Sequence, residues 1–455
     1  MALQDVLHRK LSKDILKIKK AGEIVSAFYL SDKIRITPNK TAIDKLWAVS
    51  YACKDVWNRL NTERYDRDKK TNYYQQKKQL PLLKQQHPAL KVPSSQVLQE
   101  VVKSLNASWQ MYFTKHKKGD TGVKPPRFKS YKYFFTQKYP QQGVSFEIHC
   151  GILRLAYGRN KSSWIEIKLP QREYDFQAVK NVVVSYDQRD KKWYVSLNRR
   201  VKLPEKRVNA HTIYFDPGCK MTLTGIKTDY SVVEYDINPL RELNVKHYLL
   251  IDYLKSLRDK KQKHSGRWRR LNKKISNLYR KIRTQTKHYL HKLANQILQD
   301  HPDTNFKVGN WDKGQTLAAT GIVIVDKRIN RQVQNNNPVK KLIGYLRYKA
   351  IMNAQQVEEF DERGTTRTCS GCGSQQQMPP HKRVYLCPKC GFKVERDINS
   401  VLNFLKNDNY AMWHGLGEVL SIVSYRFNPV TGANRRIESR AVILNYQDAW
   451  GLLTP

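Results

Sequence analysis

The feature that most constrains the fold is a group of four cysteines with the spacing C-x2-C-x14-C-x2-C. They are Cys369, Cys372, Cys387 and Cys390. A glycine follows each pair, in CSGCG and CPKCG, as in tight knuckles whose backbone amides turn toward thiolate sulfur. Four thiolates fill a tetrahedral shell, so we expect one structural Zn2+ with no open position for a reacting water. The total of seven cysteines is odd and disfavours a disulfide framework, so the other three are expected to be ordinary core or surface thiols.

The chain carries a large excess of positive charge. Lys and Arg number 83 against 39 Asp and Glu, which gives a formal net charge of +44 over 455 residues. No fold needs such an excess, so it indicates a polyanionic partner. Hydrophobic residues make up 40% and aromatic residues 11%, which suffices for buried cores and excludes a wholly disordered basic tail. The length argues for about three domains at roughly 100–200 residues each.

No apolar run approaches the roughly 18–20 residues that span a bilayer. The N-terminal segment MALQDVLHRKLSKDILKIKK mixes apolar residues with charges and does not form the apolar region of a signal peptide. We therefore expect a soluble, unsecreted protein without a membrane partner.

The N-terminal half combines strand and helix patterns. Residues 27–37 alternate like a strand, and from Thr41 onward apolar residues recur at helical spacing, with a second amphipathic run at 96–116. The stretch at 75–92 between them is expected to be broken by its prolines, Pro81, Pro88 and Pro93. Short alternating runs from about 131 to 203 predict strands. These patterns indicate an antiparallel β-barrel with a helical region inserted between its strands.

The pattern near His211 changes to that of an α/β domain. The segment HTIYFDPGCKMTLTGI is an apolar strand that delivers an Asp to a turn, followed by a second strand. Residues 255–287 hold fourteen Lys and Arg against one acid, which predicts a basic helix or helical hairpin in contact with nucleic acid, the alternative being a solvated face. FKVGNW and GIVIVD are expected to be buried strands. A helix at 340–354, a strand at 354–360 and a final helix in ERDINSVLNFL complete the domain.

Acidic side chains that could meet at one point stand on separate elements of this domain. They are Asp216 at a strand end, the EEFDE cluster at 358–362, and Asp397 at the start of the final helix. Three such carboxylates are what two Mg2+ ions need to activate water and stabilise the leaving oxygen at a phosphodiester. Spacing alone leaves another explanation open, because a strand-end Asp is often a cap and DPG is a turn signal.

The order of strand-Asp, long basic helix, CxxC…CxxC and RDxN resembles the RuvC-like nuclease domain of TnpB proteins, their eukaryotic Fanzor relatives and type V CRISPR effectors. The matching pieces are DPG, TTRTCSGCG and ERDINSVLNFL. In the N-terminal half, ITPNKTAIDKL, VWN, PPRFKS and KKWYVSL resemble the wedge and recognition domains of that family. The resemblance covers about residues 27–405.

The resemblance implies a multidomain α+β fold. An antiparallel β-barrel, the wedge, would carry an inserted helical recognition domain, and an RNase H-like α/β RuvC domain would carry an inserted zinc ribbon. The expected segments are wedge 1–41, recognition 42–118, wedge 119–208, RuvC 209–360, zinc ribbon 361–395, RuvC 396–410, and a C-terminal extension 411–455 of unassigned role.

One departure concerns the middle catalytic acid. Most TnpB proteins have a Glu at the end of the strand that matches FKVGNWDKG, where this chain has Gly309 or Asn310. Some relatives instead carry a relocated Glu just before the cysteine knuckle, and Glu362 stands at that place in DERGTTRTC. By resemblance the triad that binds two catalytic Mg2+ ions is Asp216, Glu362 and Asp397. The weaker candidates for the middle acid are Glu359 and Asp312.

The resemblance implies an Mg2+-dependent, RNA-guided endonuclease associated with a transposable element. A guide RNA would pair with one strand of the target double-stranded DNA, and the protein would read a short flanking motif. A monomer is expected, in the cytoplasm or nucleoid of a bacterium or in a eukaryotic nucleus. Aromatic residues among basic ones, as in WQMYFTKHKK and YKYFF, either stack on bases or lie in the core.

Two alternatives stay open at this point. The first is a catalytically inactive RNA-guided protein that occupies DNA and represses transcription, which the acid-free position 309 favours. The second is a zinc-ribbon factor that binds nucleic acid without a guide.

Overall fold

The computed structural model describes most of the chain, which divides into two compact units, Met1–Leu203 and Pro204–Pro455. The described residues are 16–20, 23–66, 71–170, 178–205, 208–218, 221–310, 338–379, 382–408, 419–428, 433–443 and 445–446. Asp312 and the GIVIVD segment lie outside them. The finer domain boundaries remain predictions.

The helices of the first unit follow the helical patterns of the sequence. They are α1 (Lys40–Tyr65), α2 (Tyr73–Gln86) and α3 (Ser95–Lys117). Asn39 caps α1, because its side chain accepts a hydrogen bond from Ala42 N at 2.8 Å. Leu46, Val56 and Leu98 from these helices are fully buried in one core.

Pro81 and Pro88, two of the three prolines between α1 and α3, have different effects. The prediction that Pro81 breaks this stretch is wrong, because Pro81 lies inside α2. The helix tolerates the lost backbone hydrogen bond since Asn72 and Gln75 form a capping box at its start and Leu80 is buried. Pro88 does interrupt the helical run and begins a short 3-10 helix, Pro88–Lys91.

The strands of the first unit form two antiparallel sheets. The strands are β1 (Leu16–Lys20), β2 (Glu23–Ile36), β3 (Gln137–Tyr139), β4 (Phe146–His149), β5 (Ile152–Leu155), β6 (Ile165–Lys168), β7 (Val179–Asp187) and β8 (Lys192–Lys202). One sheet has the order β1-β2-β8-β7-β3 and the other β4-β5-β6. Since β2 precedes the helices in the chain and pairs with β8, which follows them, the helices are inserted between strands of one sheet. Closure into a barrel remains a prediction.

The second unit is built on a seven-stranded sheet of order β13-β12-β9-β10-β11-β16-β17. Its strands are β9 (His211–Pro217), β10 (Leu223–Lys227), β11 (Val232–Asp236), β12 (Thr304–Gly309), β13 (Val357–Phe360), β16 (Val419–Asn428) and β17 (Ala433–Ile443). Strands β9, β10 and β11 pair antiparallel, whereas β12 is parallel to β9 and β13 is parallel to β12. The C-terminal β16 pairs parallel to β11, so the unassigned C-terminal segment extends the sheet.

Helices cover both faces of this sheet. They are α4 (Asn238–Asp259), α5 (Gly266–Asp300), α6 (Val339–Met352) and α7 (Arg396–Asn407). Helices α5 and α6 pack on one face and α7 on the other, where β14 (Val384–Leu386) and β15 (Phe392–Glu395) form a hairpin with the short β18 (Asn445–Tyr446). Helices α4 and α5 form the helical hairpin that the basic segment predicts. None of the helices in these ranges is long and apolar enough to cross a membrane.

Candidate active site and metal centre

The position of Asp216 follows from the alternation of side chains along β9. Ile213 and Phe215 pack in the core beneath α5 and α6, whereas Tyr214 packs in the core that includes α7. Asp216 therefore faces α7, one residue before the strand ends. Burial, together with the negative charge of Asp397, raises the pKa of Asp216 to about 7. A hydrogen bond from Ser400 and the charge of Arg396 act in the opposite direction.

Asp397 lies in the first turn of α7, directly after strand β15. The N-terminal end of a helix stabilises a negative charge, so this position suits a carboxylate. Arg383, which precedes β14, forms an ion pair with Asp397. The hairpin of the cysteine segment therefore contributes a cation to the surroundings of this acid.

Glu362 follows β13 by two residues and lies beside the end of β12. Phe360 of β13 pairs with Gly309 of β12 in the parallel register. A Cβ built on Gly309 would overlap Oε2 of Glu362 and would lie 3.1 Å from its Cδ and 3.2 Å from its Cβ. Among the described residues Oε2 has no hydrogen-bond partner, although it is buried. Burial, followed by the negative charge of Asp216, raises the pKa of Glu362 to about 8.

The structure thus brings two of the predicted acids, Asp397 and Glu362, close to the third, Asp216. The charges of Asp397 and of Glu362 each couple to that of Asp216. The carboxylate oxygens of the three acids are not all within 4.8 Å of one another. In the described part of the chain, the group of metal-ligating side chains that is this close is that of the four cysteines. The pKa values of Asp216 and Glu362 are raised, and Oε2 of Glu362 is also buried without a hydrogen-bond partner among the described residues. Carboxylate oxygens such as these three acids supply fit hard divalent cations such as Mg2+.

The other candidate acids lie elsewhere. Glu359, on β13, forms an ion pair with Arg347 of α6. Asp361 is exposed and is paired with Arg363. Asp312 lies outside the described residues. In contrast, the negative charge of Asp216 helps to raise the pKa of Glu362.

Two buried asparagines of α7 hold the turn that follows Glu362, and the sequence interpretation missed them. Asn403 Nδ2 donates to Thr365 O at 2.8 Å and to Thr368 O at 2.7 Å. Asn399 donates to Thr368 O at 2.8 Å and accepts from Ser370 N at 3.0 Å. Thr365 Oγ1 in turn donates to the carbonyl oxygen of Glu362 at 2.8 Å. The signal in the sequence is a pair of asparagines four residues apart on an otherwise apolar helix face.

The four cysteine sulfurs form a cluster in which all lie within 4.8 Å of one another. The Sγ atoms of Cys369 and Cys390 are 3.7 Å apart, and those of Cys372 and Cys387 are 3.6 Å apart. The glycine after each pair has a left-handed backbone, with φ of 76° at Gly373 and 71° at Gly391. These are the knuckle turns that the sequence predicts, and the cluster has the donor set of a closed zinc site.

The basic helical hairpin presents its charge to solvent. Eleven of the fourteen Lys and Arg side chains in 255–287 are exposed. Ile251 and Leu254 of α4 pack between the helices against Ile275 and Ile282 of α5. The apolar stripe therefore closes the hairpin, and the cations remain available to a polyanion.

Two family models match parts of the second unit. One, described as Cas12f1-like, TNB domain, matches residues 340–404, and one described as a probable transposase, of the OrfB_IS605 type, matches residues 230–315. The first includes the four cysteines, Glu362 and Asp397. The second covers the basic hairpin and β12.

Several known proteins are similar in sequence. A putative transposase, R186, of Acanthamoeba polyphaga mimivirus is 28% identical over 229 residues, 49% of this chain and 45% of the relative. A TnpB-like protein, aq_aa05, of Aquifex aeolicus is 25% identical over 232 residues, 47% of this chain and 74% of the relative. The chain thus spans less than half the length of the viral relative.

Two solved structures share the fold. A Cas12f1–sgRNA–target DNA complex has a TM-score of 0.57 at 15% identity, covering 80% of this chain and 82% of the other. The mini-RNA-guided endonuclease CRISPR-Cas_phi3 has a TM-score of 0.51 at 10% identity, covering 89% and 97%.

Proposed function

Because the chain belongs to the TnpB family, we propose that it is an RNA-guided DNA endonuclease associated with a transposable element. Its catalytic carboxylates would be Asp216, Glu362 and Asp397. The observation that carries this proposal is the placement of the Glu362 carboxylate at the acid-free end of β12, where it couples to Asp216.

The topology of the sheet supports an RNase H-like, RuvC-type domain. Strands β9, β10 and β11 form an antiparallel meander, and β12 and β13 add in parallel on the side of β9. Asp216, near the end of β9 and therefore between β10 and β12 in the sheet, then has α7 on one side and the ends of β12 and β13 on the other. The zinc ribbon is the segment between β13 and α7.

The three carboxylates would hold two Mg2+ ions. When bound, such ions activate water and stabilise the leaving oxygen of a phosphodiester. Without a cation, burial and the negative charge of Asp397 raise the pKa of Asp216 to about 7, and burial and the charge of Asp216 raise the pKa of Glu362 to about 8. Arg383 and Asn403 would keep Asp397 and the Glu362 turn in place. The four thiolates would hold one Zn2+, which would fix the ribbon and take no part in hydrolysis.

The proposed partners are a guide RNA and a target double-stranded DNA. Pairing between guide and target would supply sequence specificity, and the protein would read a short flanking motif. Lys and Arg bind phosphate irrespective of sequence, and the formal charge of +44 suits a protein that holds RNA and DNA together. We propose that the chain acts as a monomer.

One observation favours a second function, that of an inactive RNA-guided repressor. Position 309, at the end of β12, has no acid. If the Glu362 carboxylate does not bind Mg2+ as the middle catalytic acid, the chain would occupy DNA without cutting it.

The function is tested by changing the guide. RNA that copurifies with the protein is sequenced, and its target-pairing segment is then replaced by another sequence. We expect the protein, in Mg2+, to cut a plasmid that carries the new matching site beside the flanking motif and to leave the old site intact. Asp216→Ala should bind the same plasmid without nicking it. RNA-dependent binding without nicking by the wild type would establish the repressor, and cutting that ignores the RNA would overturn the guided mechanism.

A further inference from the structure

Residues 126–135, here called the strap, are held along helix α1 by side chains from elsewhere in the first unit. Each anchor is a hydrogen bond to a main-chain atom of the strap, and the anchoring residues are Ser50, Lys54, Trp57, Asn58, Asn61, Tyr65 and Gln188. Asn58 makes two such bonds, because it accepts from Lys129 N at 2.7 Å and donates to Lys129 O at 3.0 Å. The anchors therefore fix the backbone of the strap without using its side chains.

The side chains of the strap face solvent along most of its length. Residues 127–133, which read RFKSYKY, are all exposed. Phe128 and Tyr131 are each 52% exposed and Tyr133 is 64% exposed. Clusters of exposed aromatic side chains on a folded surface mark interaction sites. A segment whose backbone is anchored this extensively, yet whose side chains face outward, is preorganised for a partner.

Two of the aromatic rings are supported from behind by helix α1. Phe128 stacks on Tyr65 with 5.4 Å between ring centroids and 19° between planes. Tyr131 stacks on Tyr51 with 6.3 Å between centroids and 30° between planes. One face of each ring is thus covered, and the exposed surface belongs to the other. A flat ring that is held from behind offers its open face to another flat group.

The charge around the strap defines the chemistry of the partner. Residues 121–146 contain Lys and Arg but no Asp or Glu. Arg127 and Lys132 alternate with the aromatic residues along the strap. Aromatic faces interleaved with cations match the repeating unit of an unpaired nucleic-acid strand, in which a base alternates with a phosphate. A duplex offers phosphates, but its bases are already stacked.

We propose that the strap is a stacking platform for unpaired nucleotides of an RNA. The bases would stack on Phe128, Tyr131 and Tyr133, and the phosphates would contact Arg127 and Lys132. RNA is the occupant because folded RNA keeps loops and ends permanently unpaired, where proteins bind bases by stacking on aromatic side chains. The inference rests on the proposed function, which gives the chain an RNA partner.

The test measures binding of the full chain to a fluorescein-labelled unstructured RNA of about 12 nucleotides, within the range of single-strand site sizes. Tyr133→Ala should weaken binding between about 5-fold and 150-fold, the effect of losing one base–aromatic stack. Tyr133→Phe keeps the ring and should stay within about twofold of wild type. Tyr74→Ala is the matched control, because Tyr74 is 73% exposed in the same unit but lies on α2.

Salt dependence separates stacking from phosphate contacts. Tyr133→Ala should leave the slope of log affinity against log salt unchanged, whereas Lys132→Ala should reduce it by about 0.7. Lys78→Ala, an exposed cation on α2, should leave both slope and affinity unchanged. Asn58→Ala, which removes two anchors and no exposed strap side chain, should also weaken binding.

The proposal is overturned if Tyr133→Ala binds RNA as tightly as Tyr74→Ala. It is also overturned if the wild type binds a single-stranded DNA of the same sequence more tightly than the RNA, or if Tyr133→Ala weakens binding of the duplex as much as binding of the single-stranded RNA. These outcomes are distinct from failure of the proposed function, which would appear as a wild-type protein that has no guide RNA and cuts nothing.

Discussion

The carboxylate of Glu362 occupies the space that a side chain on Gly309 would need. Gly309 ends β12, which lies beside β9 and therefore beside Asp216. An acid on this strand end would point to the same place that Glu362 reaches from the turn after β13. The two positions are alternatives for one carboxylate, and glycine at 309 is what leaves room for Glu362.

Gly309→Ala should displace Glu362 and slow DNA cleavage by at least about tenfold, because the new Cβ would overlap Oε2 and the fixed strand backbone cannot move away. Single-turnover cleavage of a guide-matched plasmid measures this rate. Gly344→Ala, on α6, is the matched control, since a Cβ there meets no atom within 4 Å. Equal rates for the two variants would contradict the close approach of Gly309 and Glu362.

The stability of the Mg2+-free protein should fall as pH rises toward 8. The pKa of Asp216 is raised to about 7 and that of Glu362 to about 8, so the folded chain binds more protons than the unfolded chain between about pH 4 and about pH 8. The stabilisation is therefore fully present below about pH 4 and is lost as pH passes through the two folded-state values. Thermal unfolding between pH 5 and 9 measures the slope.

Glu362→Gln should flatten this pH dependence, and Mg2+ should restore stability at pH 8 in the wild type. Glu358→Gln, which changes an exposed acid on β13, is the control and should keep the wild-type slope. A slope that Glu362→Gln leaves unchanged would show that this carboxyl is not perturbed by burial and by Asp216.

Asn403→Ala should destabilise the protein by about 1–3 kcal/mol, because it leaves the buried carbonyl of Thr365 and the partly buried carbonyl of Thr368 with fewer donors. Cleavage should fall as well, since the turn that it anchors carries Glu362. Urea unfolding and cleavage rates are the two measurements. Asn407→Ala is the matched control, because Asn407 is an exposed asparagine on the same helix, and it should change neither stability nor cleavage. If both variants behave alike, Asn403 does not hold the turn.

Metal analysis should find one Zn2+ per chain, because four clustered thiolates form a closed site. Cys387→Ser should lose this zinc and lower the melting temperature, whereas Cys150→Ser, an exposed cysteine outside the cluster, should change neither. Less than about half an equivalent of zinc in the wild type would contradict a structural site.

Patterns that depend on neighbouring residues could be predicted from the sequence. The knuckle turns follow from cysteine and glycine spacing, and the hairpin of α4 and α5 from charge and apolar periodicity. The position of Asp216 follows from a short apolar strand that ends in a turn. In each case the residues that decide the structure are close together in the chain.

Features that depend on contacts between distant segments could not be predicted in this way. The overlap of Gly309 with Glu362 requires the parallel register of β12 and β13, in which Gly309 pairs with Phe360. The parallel pairing of C-terminal β16 with β11 joins segments that are far apart in the chain, so the sequence of neither segment predicts it. At Pro81 the local pattern predicts a break that does not occur, because capping and burial of the neighbouring Leu80 outweigh one lost hydrogen bond. The family resemblance, and not spacing, singled out Glu362 among the acids of its cluster.

The role of Glu362 is measured by single-turnover cleavage of a guide-matched plasmid by Glu362→Ala, compared with Glu359→Ala and with the double variant Glu362→Ala/Gly309→Glu. Glu362→Ala should cut at least about a thousandfold more slowly, roughly 4 kcal/mol of lost transition-state stabilisation, while it still binds the target. Glu359→Ala should cut within a few-fold of wild type, because Glu359 is paired with Arg347. The double variant should regain part of the activity, since it supplies the acid from β12. Cleavage by Glu362→Ala at the wild-type rate would contradict the assignment of Glu362 as the middle catalytic acid.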